Sequence, residues 1–224
     1  MKIAIFGGTF DPIHTGHVRA AEAAARRFRL DRVLFVPAGN PPHKLEDHLT
    51  PFLHRFAMVS LACAGKPRFV PSLLEEPRQD GHLHYSIDTV RAAGKLLRRA
   101  DQLYFLIGLD AFLDLPQWKN YRGLLNLVNF VVVSRPGFRL DDILKVIPPS
   151  LRKDHGGKVR KDSIRLKHSR LHILTGVDVL AASREIREAI EQGKSVKGLL
   201  PPLVEEYVVK QRVYSRQQRE IRLR

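Results

Sequence analysis

Two histidines three residues apart, His14 and His17, bracket Gly16 and follow a glycine pair, Gly7-Gly8. The apolar run Ile3 to Phe6 is too short for a helix and β-rich enough for a buried strand that ends on the glycines. The stretch Val18 to Phe28, dense in Ala and Arg, reads as a helix, so the histidines lie where a loop enters it. Unsatisfied amides at a helix start carry partial positive charge and suit phosphate, and two imidazoles add side-chain donors at the same spot. The glycines remove the Cβ atoms that would keep a phosphate off the backbone. A second such place lies far along the chain. Ser183 reads as a helix N-cap and Arg187 follows one turn later on the same face, so a hydroxyl, exposed amides and a guanidinium can converge on one phosphate.

The elements that must position these groups alternate. Arg32 to Pro37 reads as a second strand, and strand, helix, strand at this spacing implies a right-handed βαβ unit in a parallel sheet. A polar loop from Ala38 to Lys44 follows, at a strand end where open α/β sheets bind ligands, which puts Asn40 and Lys44 in reach of a phosphate or ribose. Thr50 reads as the N-cap and Pro51 as the first turn of a helix ending before Gly65. A strand over Arg68 to Leu73 leads to a polar, mobile stretch from Glu75 to Gly81, then to a helix capped by Ser86. Leu103 to Ile107 reads as a strand ending on Gly108-Leu109-Asp110, which offers room for a sugar and a carboxylate acceptor for its hydroxyls. Trp118 follows, with its face free to stack on an aromatic ring or buried as core filling. Phe130 to Val133 reads as a central strand, and Arg135 beyond it faces triphosphate or solvent. Leu171 to Leu174 is the last strand. The final helix starts at Pro201-Pro202 and packs through Val204, Tyr207, Val208 and Val213. The expected fold is a doubly wound, Rossmann-like α/β domain with a parallel sheet and helices on both faces, spanning residues 1–211, with a basic tail over 212–224.

The string Gly7-Gly8-Thr9-Phe10-Asp11-Pro12-Ile13-His14-Thr15-Gly16-His17 resembles the opening of the nucleotidylyltransferase superfamily, and closely that of bacterial nicotinate-nucleotide adenylyltransferases. The resemblance implies that His14 and His17 stabilise the phosphates of ATP during adenylyl transfer, aided by Arg187 and Mg²⁺, with Gly7, Gly8, Thr9, Phe10 and Gly16 lining the ATP site. Ile107-Gly108-Leu109-Asp110 is similar to the family's Ile-Gly-x-Asp bordering adenosine, so Gly108 and Asp110 join that set, and Arg135 is placed with it. Ala182-Ser183-Arg184-Glu185-Ile186-Arg187 is similar to the second signature, Ser-Ser-Thr-x-Ile-Arg. It departs at Ala182 and Arg184, where two hydroxyls are lost, so only Ser183, Ile186 and Arg187 carry over. On the acceptor side the resemblance implies nicotinate mononucleotide held by Asn40, Lys44, Tyr85 and Ser86, with Trp118 against the nicotinate ring.

Composition bounds the rest. The 224 residues suffice for one domain with a substantial core, and no apolar run reaches the ~20 residues that span a bilayer. The opening residues read as a strand leading into the glycine loop, and a signal peptide is not expected there. The single cysteine, Cys63, lies in an apolar helical stretch and reads as a buried thiol, so a cytoplasmic setting is expected. Lys and Arg number 38 against 23 Asp and Glu, which favours anionic partners. Much of that excess lies in a basic insert at about 150–170, absent from the resembling family and read as a flexible excursion, and in the tail. The expected partners are ATP and nicotinate mononucleotide, without a membrane or a specific nucleic acid; oligomeric state is not legible. Competing readings are another acceptor, such as the amidated mononucleotide or phosphopantetheine, or a nucleic-acid-binding protein using the basic excess.

Overall fold

A computed structural model of the chain describes residues 1–41, 49–134, 139–153, 162–177 and 182–215. One seven-stranded sheet runs through it: β1 (Lys2–Gly8), β2 (Arg32–Pro37), β3 (Phe69–Pro71), β4 (Gln102–Gly108), β5 (Asn129–Val133), β6 (Ser163–Arg165) and β7 (Arg170–Leu174), in the order β3-β2-β1-β4-β5-β7-β6. Every neighbouring pair is parallel except β6 with β7, which is antiparallel. The chain works outward from β1 through β2 to β3, then returns to the other side of β1 for β4, β5 and β7. That reversal places a crevice at the carboxyl ends of β1 and β4, where doubly wound sheets bind ligands.

Strand side chains alternate between two apolar layers, as expected of strands covered on both faces. Ala4, Phe6, Val33, Phe35, Leu106 and Val131 point to one core; Ile5, Val36, Phe105, Ile107, Phe130 and Val132 point to the other. The first is closed by α1 (Thr15–Phe28), α2 (Phe52–Cys63), α7 (Ser183–Glu191) and α8 (Pro202–Lys210), the second by α3 (Ser86–Lys95), α4 (Leu109–Leu113), α5 (Tyr121–Leu127) and α6 (Leu140–Val146). The alanine stripe of α1, Ala20, Ala21, Ala24 and Ala25, is buried and lets that helix lie close to the sheet. Val204, Val208 and Val213 are buried and Tyr207 packs against them, as the spacing predicts. Cys63 is buried, and burial pushes its thiol up to about 12. No helix among the described residues is long and apolar enough to cross a membrane.

Several local expectations are corrected. Helix α2 begins at Phe52 with Pro51, not Thr50, in the cap position, and α3 begins at Ser86 behind Tyr85. The strand expected over Arg68 to Leu73 contracts to Phe69–Pro71. Glu75 is not part of a mobile stretch: it is 8% exposed and accepts the Thr89 hydroxyl at 2.6 Å, and burial raises its pKa while that hydrogen bond opposes the rise. The described ends of the basic insert are built into the fold. Ile164 and Leu166 are buried, β6 extends the sheet, and Arg152 bridges Leu166; residues 154–161 lie outside the described set.

Gly39 packs directly on this anchored segment: a Cβ there would lie 1.9 Å from the Glu75 carbonyl oxygen and 3.2 Å from the His84 ring. Gly39→Ala should therefore destabilise the protein by about 1–3 kcal/mol, read by urea unfolding. Gly94→Ala, in α3 with open space at its Cβ, should be neutral or stabilising. Equal stability of the Gly39→Ala variant and its parent would contradict this packing.

Candidate active site

The loop from β1 to α1 is held open by an aromatic wedge. Phe10 adopts a left-handed backbone (φ 48), which a bulky residue takes only when its surroundings impose it. Its ring, 1% exposed, meets Phe6 and His17 edge-on at 5.5 and 5.1 Å and lies 5.8 Å from Phe35. A Cβ on Gly8 would come within 3.3 Å of that ring, so the glycine makes room for the wedge as well as for a ligand. His14 takes the N-cap position of α1 with extended backbone, and its N–H donates to His17 Nδ1 at 3.2 Å. Because an N–H can only donate, His17 Nδ1 must be the acceptor and Nε2 must carry the proton. The two rings lie 3.7 Å apart at 31°. Burial, and secondarily the neighbouring His14, pushes the His17 pKa well below the ordinary value, so at neutral pH it is an uncharged donor.

The second motif arrives beside the first. Ser183 donates its hydroxyl to the Pro12 carbonyl at 3.0 Å, and Arg187 Nη1 donates to the Asp11 carbonyl at 2.6 Å. Ser183 is the first residue of α7 and not its cap. Ala182 stands there, with its N–H donating to the Glu185 carboxylate at 2.8 Å. Two groups that the sequence reading passed over organise this junction. Asp11, 3% exposed, accepts the Thr50 N–H at 3.2 Å and the Tyr214 hydroxyl at 2.6 Å. Arg55, 2% exposed, donates to the carbonyls of Thr50 (2.7 Å), Thr9 (2.9 Å) and Ala38 (2.7 Å). Burial lowers the Arg55 pKa and the nearby Asp11 counteracts it. Charged residues inside an otherwise apolar helix, as Arg55 is in α2, are the signal that could have found this pair.

Above these loops opens a cavity of about 880 Å³. Its walls include Gly7, Gly8, Thr9, Phe10, His14, Gly16, His17, Gly108, Asp110 and Ser183 from the expected nucleotide set, with Tyr85, Ser86 and Trp118 from the expected acceptor set. Asn40 does not line it: its carboxamide donates to the His82 carbonyl at 3.3 Å. Ile186 is fully buried and packs in the core beneath α7, so its side chain does not face the cavity. Arg187 stands behind the first loop rather than on the cavity wall. Lys44 and Arg135 lie outside the described residues. The walls also hold groups not foreseen: Glu75, His84, Asp114, Gln117 and Lys119. Lys119 is the one Lys or Arg among the described wall residues, with Nζ 4.0 Å over the Tyr85 ring and 3.5 Å from Asp88. Trp118 stands edge-on to Phe105, with ring centres 6.4 Å apart. No group of three His, Cys, Asp or Glu side chains among the described residues could hold a metal ion by itself.

A mostly parallel sheet with a cavity at its switch point, flanked by two histidines at one helix start and a serine at another, is the arrangement expected of a nucleotidyltransferase. A family profile described as cytidylyltransferase-like matches residues 5–189. The sequence is 42% identical over 218 residues to a Geotalea daltonii protein named "Probable nicotinate-nucleotide adenylyltransferase", covering 96% of this chain and 99% of that one. A Pelobacter propionicus protein of the same name is 41% identical over 220 residues, with 96% and 99% covered. The chain thus belongs to the nicotinate-nucleotide adenylyltransferase family. Among solved structures, the fold is shared with Plasmodium falciparum nicotinic acid mononucleotide adenylyltransferase complexed with NaAD, at a TM-score of 0.71, 18% identity, and coverage of 95% and 97%.

The histidine chemistry can be checked directly. Ring resonances of His17 should stay at their neutral, Nε2-protonated positions from pH 7.5 to below the ordinary histidine range of about 6.5. His172, whose ring lies tilted 4.9 Å from that of Phe28, has its pKa lowered to about 4, first by burial and then by Arg170. For both, the unfolded chain takes up the proton before the folded one. Stability should therefore be present above about pH 6.5 and fall on acidification toward pH 4. A His17 that titrates near 6.5 would contradict the desolvation of its ring.

Proposed function

We propose that the protein joins the AMP moiety of ATP to nicotinate mononucleotide, releasing pyrophosphate and forming nicotinate adenine dinucleotide. The observation that carries this reading is the meeting of the two signatures: Ser183 and Arg187 bond the backbone of the loop that presents His14. A triphosphate entering the cavity would meet imidazoles from the first and backbone N–H donors from both at once. The attacking group is the 5′-phosphate of the mononucleotide, already an anion, so no protein nucleophile is needed. Catalysis then rests on alignment and on neutralising the charge that grows on the α-phosphate and the leaving pyrophosphate. His14 and the neutral Nε2–H of His17 would donate to those oxygens, with the amides beside Gly7, Gly8 and Gly16 as further donors. Gly108 and Asp110 at the end of β4 would receive the adenosine. Mg²⁺ would come with the triphosphate and would add positive charge beside it; among the described residues no three His, Cys, Asp or Glu side chains are grouped to hold it by themselves.

The acceptor side fits an aromatic acid. Tyr85, Ser86 and Trp118 share the cavity wall with Lys119, whose ammonium favours an anionic ring substituent over a neutral amide. The nucleic-acid alternative has less support. A cleft whose wall includes glycines and histidines suits a nucleotide-sized ligand, and no base-reading module is legible in the sequence.

Replacing His17 by Ala should cost on the order of 10²-fold or more in kcat with the fold retained, measured as pyrophosphate release. Trp118→Ala should raise KM for nicotinate mononucleotide more than KM for ATP. Preference for nicotinate over nicotinamide mononucleotide, assayed side by side, tests the acceptor. Unchanged turnover in a folded His17→Ala enzyme, or no release with either mononucleotide, would overturn the reading.

A further inference from the structure

The chain after α8 does not simply leave the fold. Val213 is 1% exposed, and its N–H returns to the Val208 carbonyl at 3.0 Å. Tyr214 then adopts a left-handed backbone (φ 72), a conformation costly for a bulky residue and kept only where contacts impose it. Its ring turns inward, and its hydroxyl reaches Asp11 Oδ1 at 2.6 Å and Met58 Sδ at 3.9 Å. The helix before it is seated independently, through Tyr207 and His54 at 2.9 Å.

Asp11 is the residue on which three remote segments meet. Its carboxylate takes the Thr50 N–H and the Tyr214 hydroxyl, and its carbonyl takes Arg187. It stands three residues ahead of His14, inside the loop that forms the phosphate end of the cavity. A carboxylate buried to 3% exposure needs its donors: without the Tyr214 hydroxyl, Asp11 must turn toward another, carrying with it the loop and the carbonyl that Arg187 grips. We propose that Tyr214 is a positioning residue for the triphosphate end of the site, acting through Asp11 to set the loop that presents His14. The hydroxyl is a dependable donor because burial and the adjacent Asp11 push its pKa well above the ordinary tyrosine value. The acceptor wall of Tyr85, Ser86 and Trp118 stands on other elements and does not share this contact. This inference rests on the adenylyltransferase reading.

The test is Tyr214→Phe, which keeps the ring and removes only the oxygen, beside Asp11→Asn and the double variant, each assayed with both substrates varied. The expected result is a fall of about tenfold in kcat/KM for ATP, part of it in KM, with KM for nicotinate mononucleotide within about twofold of the parent. Because Tyr214 acts through Asp11, the double variant should lose no more than the worse single one. Three results would each overturn the proposal: kcat/KM for ATP within about twofold of the parent, a fall in kcat alone with both KM values unmoved, or fully additive losses. Failure of Tyr214→Phe to fold at 25 °C, as followed by circular dichroism, would pass the decision to the second variant. In that event Asp11→Asn is read alone: a loss confined to ATP supports the assignment, and equal losses for both substrates end it. The parent enzyme in the same assay keeps the two ideas apart, because an inactive parent defeats the adenylyltransferase reading, while an active parent with an unaffected variant defeats only the role of Tyr214.

Discussion

The Arg55 guanidinium donates to the carbonyls of Thr9, Ala38 and Thr50, and so ties together the loops that leave β1 and β2 and the entry to α2. Those carbonyls lie beyond the strands, where no ladder partner is available, and left bare in the interior each would be costly. The cation is itself buried at 2% exposure, a position tolerable because its hydrogen bonds are to carbonyl oxygens and Asp11 lies nearby. Asp11 in turn is shared by Thr50, Tyr214 and Arg187. The two buried charges thus do for the loops what the parallel ladder does for the strands: they give polar backbone a single arrangement, and the cavity takes its shape from it.

This scaffold leaves the described cavity wall with little positive charge of its own. Among the described wall residues the only Lys or Arg is Lys119, although the sequence carries a formal net charge of +15. The donors at the first loop are an uncharged imidazole and backbone amides, which are aimed by the fold and need little rearrangement as charge builds on phosphate. The general basicity of the chain can draw anions toward it, whereas in the proposed reaction the alignment of phosphates would depend on these fixed dipoles.

Much of the architecture was legible because it rests on local signals. Apolar runs such as Phe130 to Val133, broken by turns, marked the strands, and the spacing of Val204 and Val208 marked the packed face of the last helix, while Val213 proved to lie in the turn beyond it. Helix starts were misplaced by one residue at Thr50, Ser86 and Ser183, since a hydroxyl can cap a helix or serve a tertiary contact and its neighbours in sequence do not say which. Ser183 is the clearest case, its hydroxyl going to Pro12 on a distant loop. The same holds for Glu75, whose polar surroundings in sequence suggested a mobile loop until Thr89 and Gly39 closed around it.

By itself the sequence determined the strand-loop-helix character of residues 1–28, the histidine pair with its flanking glycines, the βαβ alternation and the membership of the family that these imply, because each depends on residues near one another along the chain. Tertiary structure alone decided which distant groups share the loop: that Arg187 and Ser183 face the backbone of Asp11 and Pro12, that Asn40 and Ile186 turn away from the cavity, and that Tyr214 reaches Asp11. The physical reason is that a buried polar atom accepts whichever donor the packing of separate elements delivers to within about 3 Å, a choice of geometry that no local pattern encodes.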